Sequence, residues 1–333
     1  MKLGLMLGYW GAGPPSGFVE LAQEAERCGF DSVWTAEAYG SDVFSPLCWI
    51  GAHTERIRLG TAVAQLSART PASLAMTAAT IDHLSGGRLL LGLGVSGPQV
   101  VEGWYGQPFP KPLARTREYV SVLRSAWARE RVTNEGEHYP LPHPGGTGLG
   151  KPLKLTVHPL RSDIPILLGA EGPRNVKLAT EIADGWLPLF FSPYRTDVYA
   201  DALGSLKPGF EIACTVTVVV TDDIASALRA VKGFLSFYVG GMGAADENFH
   251  FNVVSRLGFE REAHEVQRLF LEGKRDEAID AVPDELADEI SLVGPVERIR
   301  DRLEAWRSSP VTTLMVGAGD AHTLRTAADL VGV

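Results

Sequence analysis

Cysteine is scarce in this chain of 333 residues, which holds only Cys28, Cys48 and Cys214. Three is an odd number and the spacings are long, so neither a disulfide framework nor a Cys-x-x-Cys redox or metal motif is present. The pattern fits a reducing compartment, with each thiol expected to act as a small buried apolar group. His-x-x-x-His pairs and clustered carboxylates are missing as well, and Asp222-Asp223 reads as a helix N-cap, so no metal site is expected. Positive charge is in deficit, with 31 Lys and Arg against 40 Asp and Glu and a formal net charge of −9. That balance argues against nucleic acid or an anionic membrane as a partner, but leaves room for a local phosphate pocket. Long apolar runs are also lacking: none approaches the roughly 18 residues of a membrane span. Lys2 leads into the short stretch Leu3–Gly8, too brief for a secretory core. The expectation is a soluble, cytoplasmic protein acting on a small molecule.

What the chain does have is an ordinary globular balance, 45% apolar and 21% charged. Its rhythm alternates strand and helix. Strand patterns fall at 3–8, 32–36, 57–63, 88–94, 164–169, 186–189, 211–220 and 312–316. Helical spacing runs through Phe18, Leu21, Ala22, Ala25 and Cys28 to a stop at Gly29, and Thr70-Pro71 opens a helix that ends at Gly86-Gly87. Further helices are expected at 113–130, 173–183, 222–238, 260–271, 295–307 and beyond Ala321. Repeated βα units imply a parallel sheet. The expected fold class is α/β, a (β/α)8 barrel or a doubly wound open sheet, because strand count does not write strand order. Two segments break the rhythm, 131–163 after the fourth strand and 222–308 after the seventh. With no linker-like shift in composition, residues 1–333 read as one domain carrying two insertions, the first expected to cross the barrel mouth.

Two glycine turns carry the candidate chemistry. Gly92, Gly94 and Gly97 satisfy Gly-x-Gly-x-x-Gly after a strand and before a helix, a pattern that lets backbone amides approach a phosphate. A dinucleotide-binding unit is disfavoured by position: the motif follows the fourth strand, Pro98 follows the last glycine, and the next 30 residues read as helix without a second strand. Gly94-Val95-Ser96-Gly97-Pro98 lacks the final glycine of a nucleophile elbow, which argues against a hydrolase. The second turn, Gly169-Ala170-Glu171-Gly172-Pro173-Arg174-Asn175, also sits between a strand and a helix. Glu171 is expected to face outward, because inward it would repel an anion. Trp34, Trp104 and Trp186 lie near strand ends or these turns, as core residues or as stacking surfaces. Barrel enzymes assemble their sites at this C-terminal rim.

Several segments together resemble one family. They are Asp31-Ser32-Val33-Trp34-Thr35-Ala36-Glu37-Ala38-Tyr39-Gly40-Ser41-Asp42, Arg58-Leu59-Gly60-Thr61-Ala62-Val63, Asp82-His83-Leu84-Ser85-Gly86-Gly87-Arg88, Ser96-Gly97-Pro98-Gln99-Val100-Val101-Glu102-Gly103-Trp104, Ala183-Asp184-Gly185-Trp186 and Val282-Pro283-Asp284-Glu285-Leu286. In order and spacing they resemble the luciferase-like flavin and deazaflavin oxidoreductases, specifically the coenzyme F420-dependent branch.

The resemblance implies a (β/α)8 TIM barrel, homodimerisation, and a deazaflavin lying across the rim. It implies phosphate binding by Ser96, Gly97, Pro98 and Gln99 on one side and Ala170, Gly172, Pro173 and Arg174 on the other. It also implies a backbone bulge after Thr61, commonly a cis peptide, at Ala62-Val63. A hydride would pass between the deazaflavin C5 and an unidentified small organic substrate. Glu37 matches an acidic position at the end of the second strand and is the candidate catalytic residue, but Ala38 stands where relatives often carry His. Glu102 is a second acidic candidate. Arg69, Lys151, Lys154 and Arg161 are candidates to meet the acidic tail of F420. The rival readings are an FMN-dependent monooxygenase on the same barrel and a non-catalytic F420-binding protein.

Overall fold

The computed structural model describes residues 1–242 and 248–333; the stretch 243–247, inside the expected 222–308 insertion, lies outside the described residues. Ten strands are present among them: β1 (Lys2–Gly8), β2 (Ser32–Thr35), β3 (Arg58–Thr61), β4 (Ala64–Gln65), β5 (Leu89–Gly94), β6 (Ile166–Gly169), β7 (Gly185–Leu187), β8 (Glu211–Val220), β9 (Ser291–Gly294) and β10 (Thr313–Gly317). The order β10-β1-β2-β3-β5-β6-β7-β8 closes through a β10–β8 pairing, which decides for the barrel over the open sheet. β4 and β9 are the two strands the sequence did not announce. They extend the ends of β5 and β8, with Ala64 beside Leu93 and Ser291 beside Thr217.

Eight helices wrap the outside, at Phe18–Arg27, Phe44–Ala52, Pro71–Leu84, Pro112–Trp127, Pro173–Ile182, Asp197–Leu203, Val296–Ser308 and Ala321–Val331. A strand covered on both faces must be apolar throughout, and β5 (LLLGLG) is buried at every position. The barrel interior is plugged by Trp34, Leu90, Leu167, Leu187, Ala213 and Met315. Trp34 fits because Gly60 and Gly4 stand beside it. A Cβ on Gly60 would overlap the indole, and one on Gly4 would lie 2.8 Å from its Nε1. That Nε1 instead donates to Ser32 Oγ at 2.9 Å. At the N-terminal end Arg58 bridges Asp31 and Glu211, and Thr313 Oγ1 donates to Glu211 at 2.7 Å, tying four strands together away from the mouth.

The two excursions differ from each other. Residues 128–165 hold a single bridge, Asn134 to Leu141, and follow the barrel flank rather than crossing the mouth as expected. Glu118 of the helix Pro112–Trp127 accepts from the amides of His138 and Tyr139, both at 3.0 Å, and Arg161 returns the chain to the N-terminal end by bonding Leu89 O at 2.7 Å. Lys154 and Arg161 line a surface groove at that end, with Arg161 paired to Asp82. The later excursion covers the mouth. Its helices Ile224–Gly241, Phe249–Val254 and Glu260–Leu271 pack a second apolar cluster, with Leu235, Val239, Val253 and Val266 around Phe190 from the loop after β7. Asp223 N-caps the first of these helices, accepting from Ser226 N at 3.1 Å. Of the thiols only Cys214 is fully buried; Cys48 is exposed, on a short helix whose inner face is already filled by Leu47 and Ile50. Among the described residues no helix is long and apolar enough to cross a membrane.

Candidate functional site

The mouth of the barrel holds a cavity of about 600 Å³. Its floor is the interior plug seen from above, with Met6, Leu187, Thr215 and Met315, completed by Ala62 and Val63. The Ala62–Val63 peptide is cis, at the position the resemblance implied. The chain turns there out of β3 and resumes pairing as β4. Val63 is seated between two strand ends that carry no side chain: a Cβ on Gly94 would overlap Val63 Cγ2, and one on Gly169 would stand 3.0 Å from Cγ1. Thr61 lies beneath the floor, its hydroxyl donating to Gly92 O at 2.8 Å.

The walls are the two glycine turns. Ser96 adopts a left-handed conformation (φ 60°), an uncommon one for a residue with a side chain. Gly97 and Gly172 are the N-caps of Pro98–Gly103 and Pro173–Ile182, each followed by proline at the first helical position. Among the described residues, no backbone carbonyl accepts from the amides of Ser96, Gly97 or Gly172. Ser96, Gly97, Gln99 and Ala170 line the cavity; Pro98, Gly172, Pro173 and Arg174 are not part of the lining, and the last two are exposed. Asn175, which the sequence reading left without a role, does line it. The helix expected to follow Gly97 without interruption breaks at Trp104 and restarts at Pro112.

The structure does not bring Glu37 into the lining. Its carboxylate is buried against Arg69, at 2.7 and 3.1 Å, and also accepts from the amides of Gln65 (2.8 Å) and Val43 (3.1 Å). The geometry is that of an ion pair beneath the rim, and it takes Arg69 out of the set of free cations. Glu102 and Trp104 are exposed, while Trp34 and Trp186 are buried in the core. The roof is aromatic: Tyr39 after β2 belongs to a segment that carried the resemblance, whereas Tyr9 after β1 and Phe234, Tyr238, Phe249 and His250 from the late excursion come from parts of the sequence that carried no motif.

Two ionisable groups in this lining are displaced from their ordinary behaviour. Glu171 is part of the lining, contrary to the expectation that it would lie outside, and its Oε1 accepts from Leu189 N at 3.1 Å. Burial pushes its carboxyl up to about 8, the Leu189 amide and Arg256 opposing only in part, so it is held protonated at neutral pH. That resolves the objection that placed it outside, since a neutral acid repels no anion. His250 packs edge-on against Phe190 and Tyr238, and burial lowers it to about 4, leaving a neutral imidazole whose Nδ1 has no partner among the described residues. The signal for both was tertiary: a glutamate in a polar turn and a histidine on a helix carry no local mark of the cover above them.

Comparisons with known proteins agree with this architecture. The family model described as luciferase-like monooxygenase matches residues 4–313. A Mycobacterium tuberculosis protein named as a putative coenzyme F420-dependent oxidoreductase is 56% identical, with 99% of each chain covered. The 5,10-methylenetetrahydromethanopterin reductase of Archaeoglobus fulgidus is 28% identical over 95% of this chain and 92% of its own. Among solved structures, the coenzyme F420-dependent tetrahydromethanopterin reductase of Methanopyrus kandleri superposes with a TM-score of 0.79 at 24% identity, covering 98% of this chain and 97% of that one.

Proposed function

The chain belongs to the luciferase-like monooxygenase family, and on that premise we propose that it is a coenzyme F420-dependent oxidoreductase acting on a small organic substrate at the barrel mouth. The observation that carries the reading is the cavity itself: an apolar floor at Ala62–Val63, two turns with unspent amides, and an aromatic roof. The 56% identical relative with its printed name supports the choice of F420.

The residues present fit such a group. A volume of about 600 Å³ is typical of sites that enclose drug-sized ligands, about 300–1,000 Å³. The bare strand ends at Gly94 and Gly169 let Val63 lie flat in the floor. Ser96, Gly97, Gln99 and the side chain of Asn175, at the starts of Pro98–Gly103 and Pro173–Ile182, are the donors that would hold the phosphate. When bound, a deazaflavin supplies a two-electron carrier whose C5 carbon gives or accepts a hydride. The protein's part is orientation and exclusion of water. The floor would bear against such a group, with Tyr9, Tyr39 and Phe234 standing at the rim where a substrate would enter. Glu37 belongs to the frame, tying the rim segment at Val43 to Gln65 of β4, next to the floor. We further propose a homodimer, because the helix Phe44–Ala52 bears no charge and leaves Trp49 59% exposed.

Titration of the purified protein with F420 and separately with FMN, followed by tryptophan fluorescence, tests the cofactor. Saturable quenching by F420 is expected; saturation by FMN alone would overturn the assignment. Sedimentation equilibrium is expected to give twice the chain mass, and Trp49→Glu to give the single-chain mass.

A further inference from the structure

We propose that Glu171 is a catalytic residue of this cavity, its carboxyl delivering a proton to, or taking one from, the oxygen of an uncharged carbonyl or alcohol substrate. The proposal rests on reading the cavity as a hydride-transfer site.

Three observations converge on it. First, Glu171 is the one carboxylate in the lining among the described residues. Glu37 is spent on Arg69, and Glu102 is exposed outside the lining. Second, the carboxyl is fixed but not neutralised by a cation. Leu189 N donates to Oε1 at 3.1 Å, while Arg256 donates to the Glu171 backbone carbonyl at 2.6 Å rather than to its carboxyl. Third, no Lys, Arg or Asp lines the cavity among the described residues, and its one histidine is held neutral. Apart from the polar groups assigned to the cofactor phosphate, the lining has no fixed positive charge to pair with a carboxylate or phosphate on the substrate, and its aromatic roof favours an apolar body.

The titratable groups around Glu171 are Arg256 from the π-helical segment Ser255–Phe259, Tyr199 from Asp197–Leu203 and Cys214 from β8. Burial pushes the Tyr199 and Cys214 hydrogens well above neutral, so neither competes as a donor near pH 7. Burial also holds the Glu171 carboxyl at about 8, matched to a proton exchanged near neutrality.

The step balances as follows. In reduction, a hydride adds to the carbonyl carbon, the C=O π pair moves to oxygen, and that oxygen takes the Glu171 proton, leaving a carboxylate that recovers a proton from solvent. In the oxidative direction the carboxylate accepts the alcohol proton as the hydride leaves carbon. The hydride carrier is the deazaflavin of the proposed function.

The test has one arm without cofactor and one with it. In the unloaded protein, infrared spectroscopy at pH 7 is expected to show a protonated-carboxyl stretch that titrates away near pH 8 and is absent from Glu171→Gln. A carboxyl already ionised at pH 7 overturns the proposal whether or not the variant folds. In the loaded enzyme, with cyclohexanone and benzaldehyde as probes and pyruvate as the charged counterpart, Glu171→Gln is expected to lower kcat about 100-fold or more. KM should change little, Glu171→Asp should restore part of the rate, and the fall in wild-type reduction rate above about pH 8 should vanish in Glu171→Gln. Unchanged kcat in the variant, preference for pyruvate, or F420 binding without transfer to either uncharged probe overturns it. Failure of the wild type to bind F420 at all would instead strike the underlying reading.

Discussion

Replacing Glu37 by Gln keeps an acceptor for the Gln65 amide but removes the charge that Arg69 faces. Arg69 is only 20% exposed and lies over the Phe44 ring at 4.8 Å, so it cannot readily turn to water. Removing one partner of a buried pair costs about 3–5 kcal/mol. We therefore expect Glu37→Gln to lose stability on that scale by urea denaturation, with turnover lowered through a displaced rim and F420 affinity changed by less than about tenfold. Full stability in the variant would show that the pair is not what holds the rim. At this scale the sequence was legible in part. An acidic residue after the second strand could be singled out, but whether it meets ligand or arginine depends on Arg69, 32 positions away. Glu171 was misread for the same reason, because the Leu189 amide and the covering helices that bury it are remote in the chain.

The elements explain why glycine recurs where it does. Val63 occupies the space that side chains at 94 and 169 would fill, so the floor depends on the ends of three strands at once. Overfilling a packed site costs about 1–3 kcal/mol. Gly94→Ala is expected to lose that much and to weaken F420 binding by pushing Val63 upward. Gly172→Ala, where nothing lies within 4 Å and φ is −80°, should change stability by less than about 0.5 kcal/mol. Paired thermal melts and F420 titrations separate the two; equal effects would mean the floor is not packed as described. The barrel strands were legible because doubly covered strands are apolar runs between helical spacings. β4 was not, since two residues give no period to read, nor was β9, whose Ser-Leu-Val-Gly lies inside the helical excursion between Asp284–Glu289 and Val296–Ser308. The path of 128–165 was equally hidden, because its anchors are side-chain contacts to Glu118 and Asp82.

Across the whole molecule, Glu171 and His250 pull the pH dependence of stability in opposite directions. His250 is depressed from the ordinary 6.5 to about 4, so the folded imidazole refuses a proton that the unfolded chain accepts. Its contribution is complete above pH 6.5 and is lost as pH falls toward 4. Glu171 is raised from 4.5 to about 8, so its contribution is complete below pH 4.5 and is lost as pH rises through 8. Between pH 4.5 and 6.5 the two slopes oppose each other and largely cancel. From 6.5 to 8 only the Glu171 slope remains, which at about 1.4 kcal/mol per pH unit amounts to on the order of 2 kcal/mol. The wild type is therefore expected to melt at a lower temperature at pH 8 than at pH 6.5, and Glu171→Gln to abolish that difference. His250→Phe should leave the alkaline decline intact and uncover the Glu171 slope below pH 6.5, so that the variant's stability rises as pH falls from 6.5 to 4.5 where the wild type stays nearly level. A wild-type melting temperature that stays level from pH 6.5 to 8 would mean that the Glu171 carboxyl reaches solvent. The covering segment would then not seal the mouth, and exclusion of water from the cavity would have to come from bound ligand rather than from the fold.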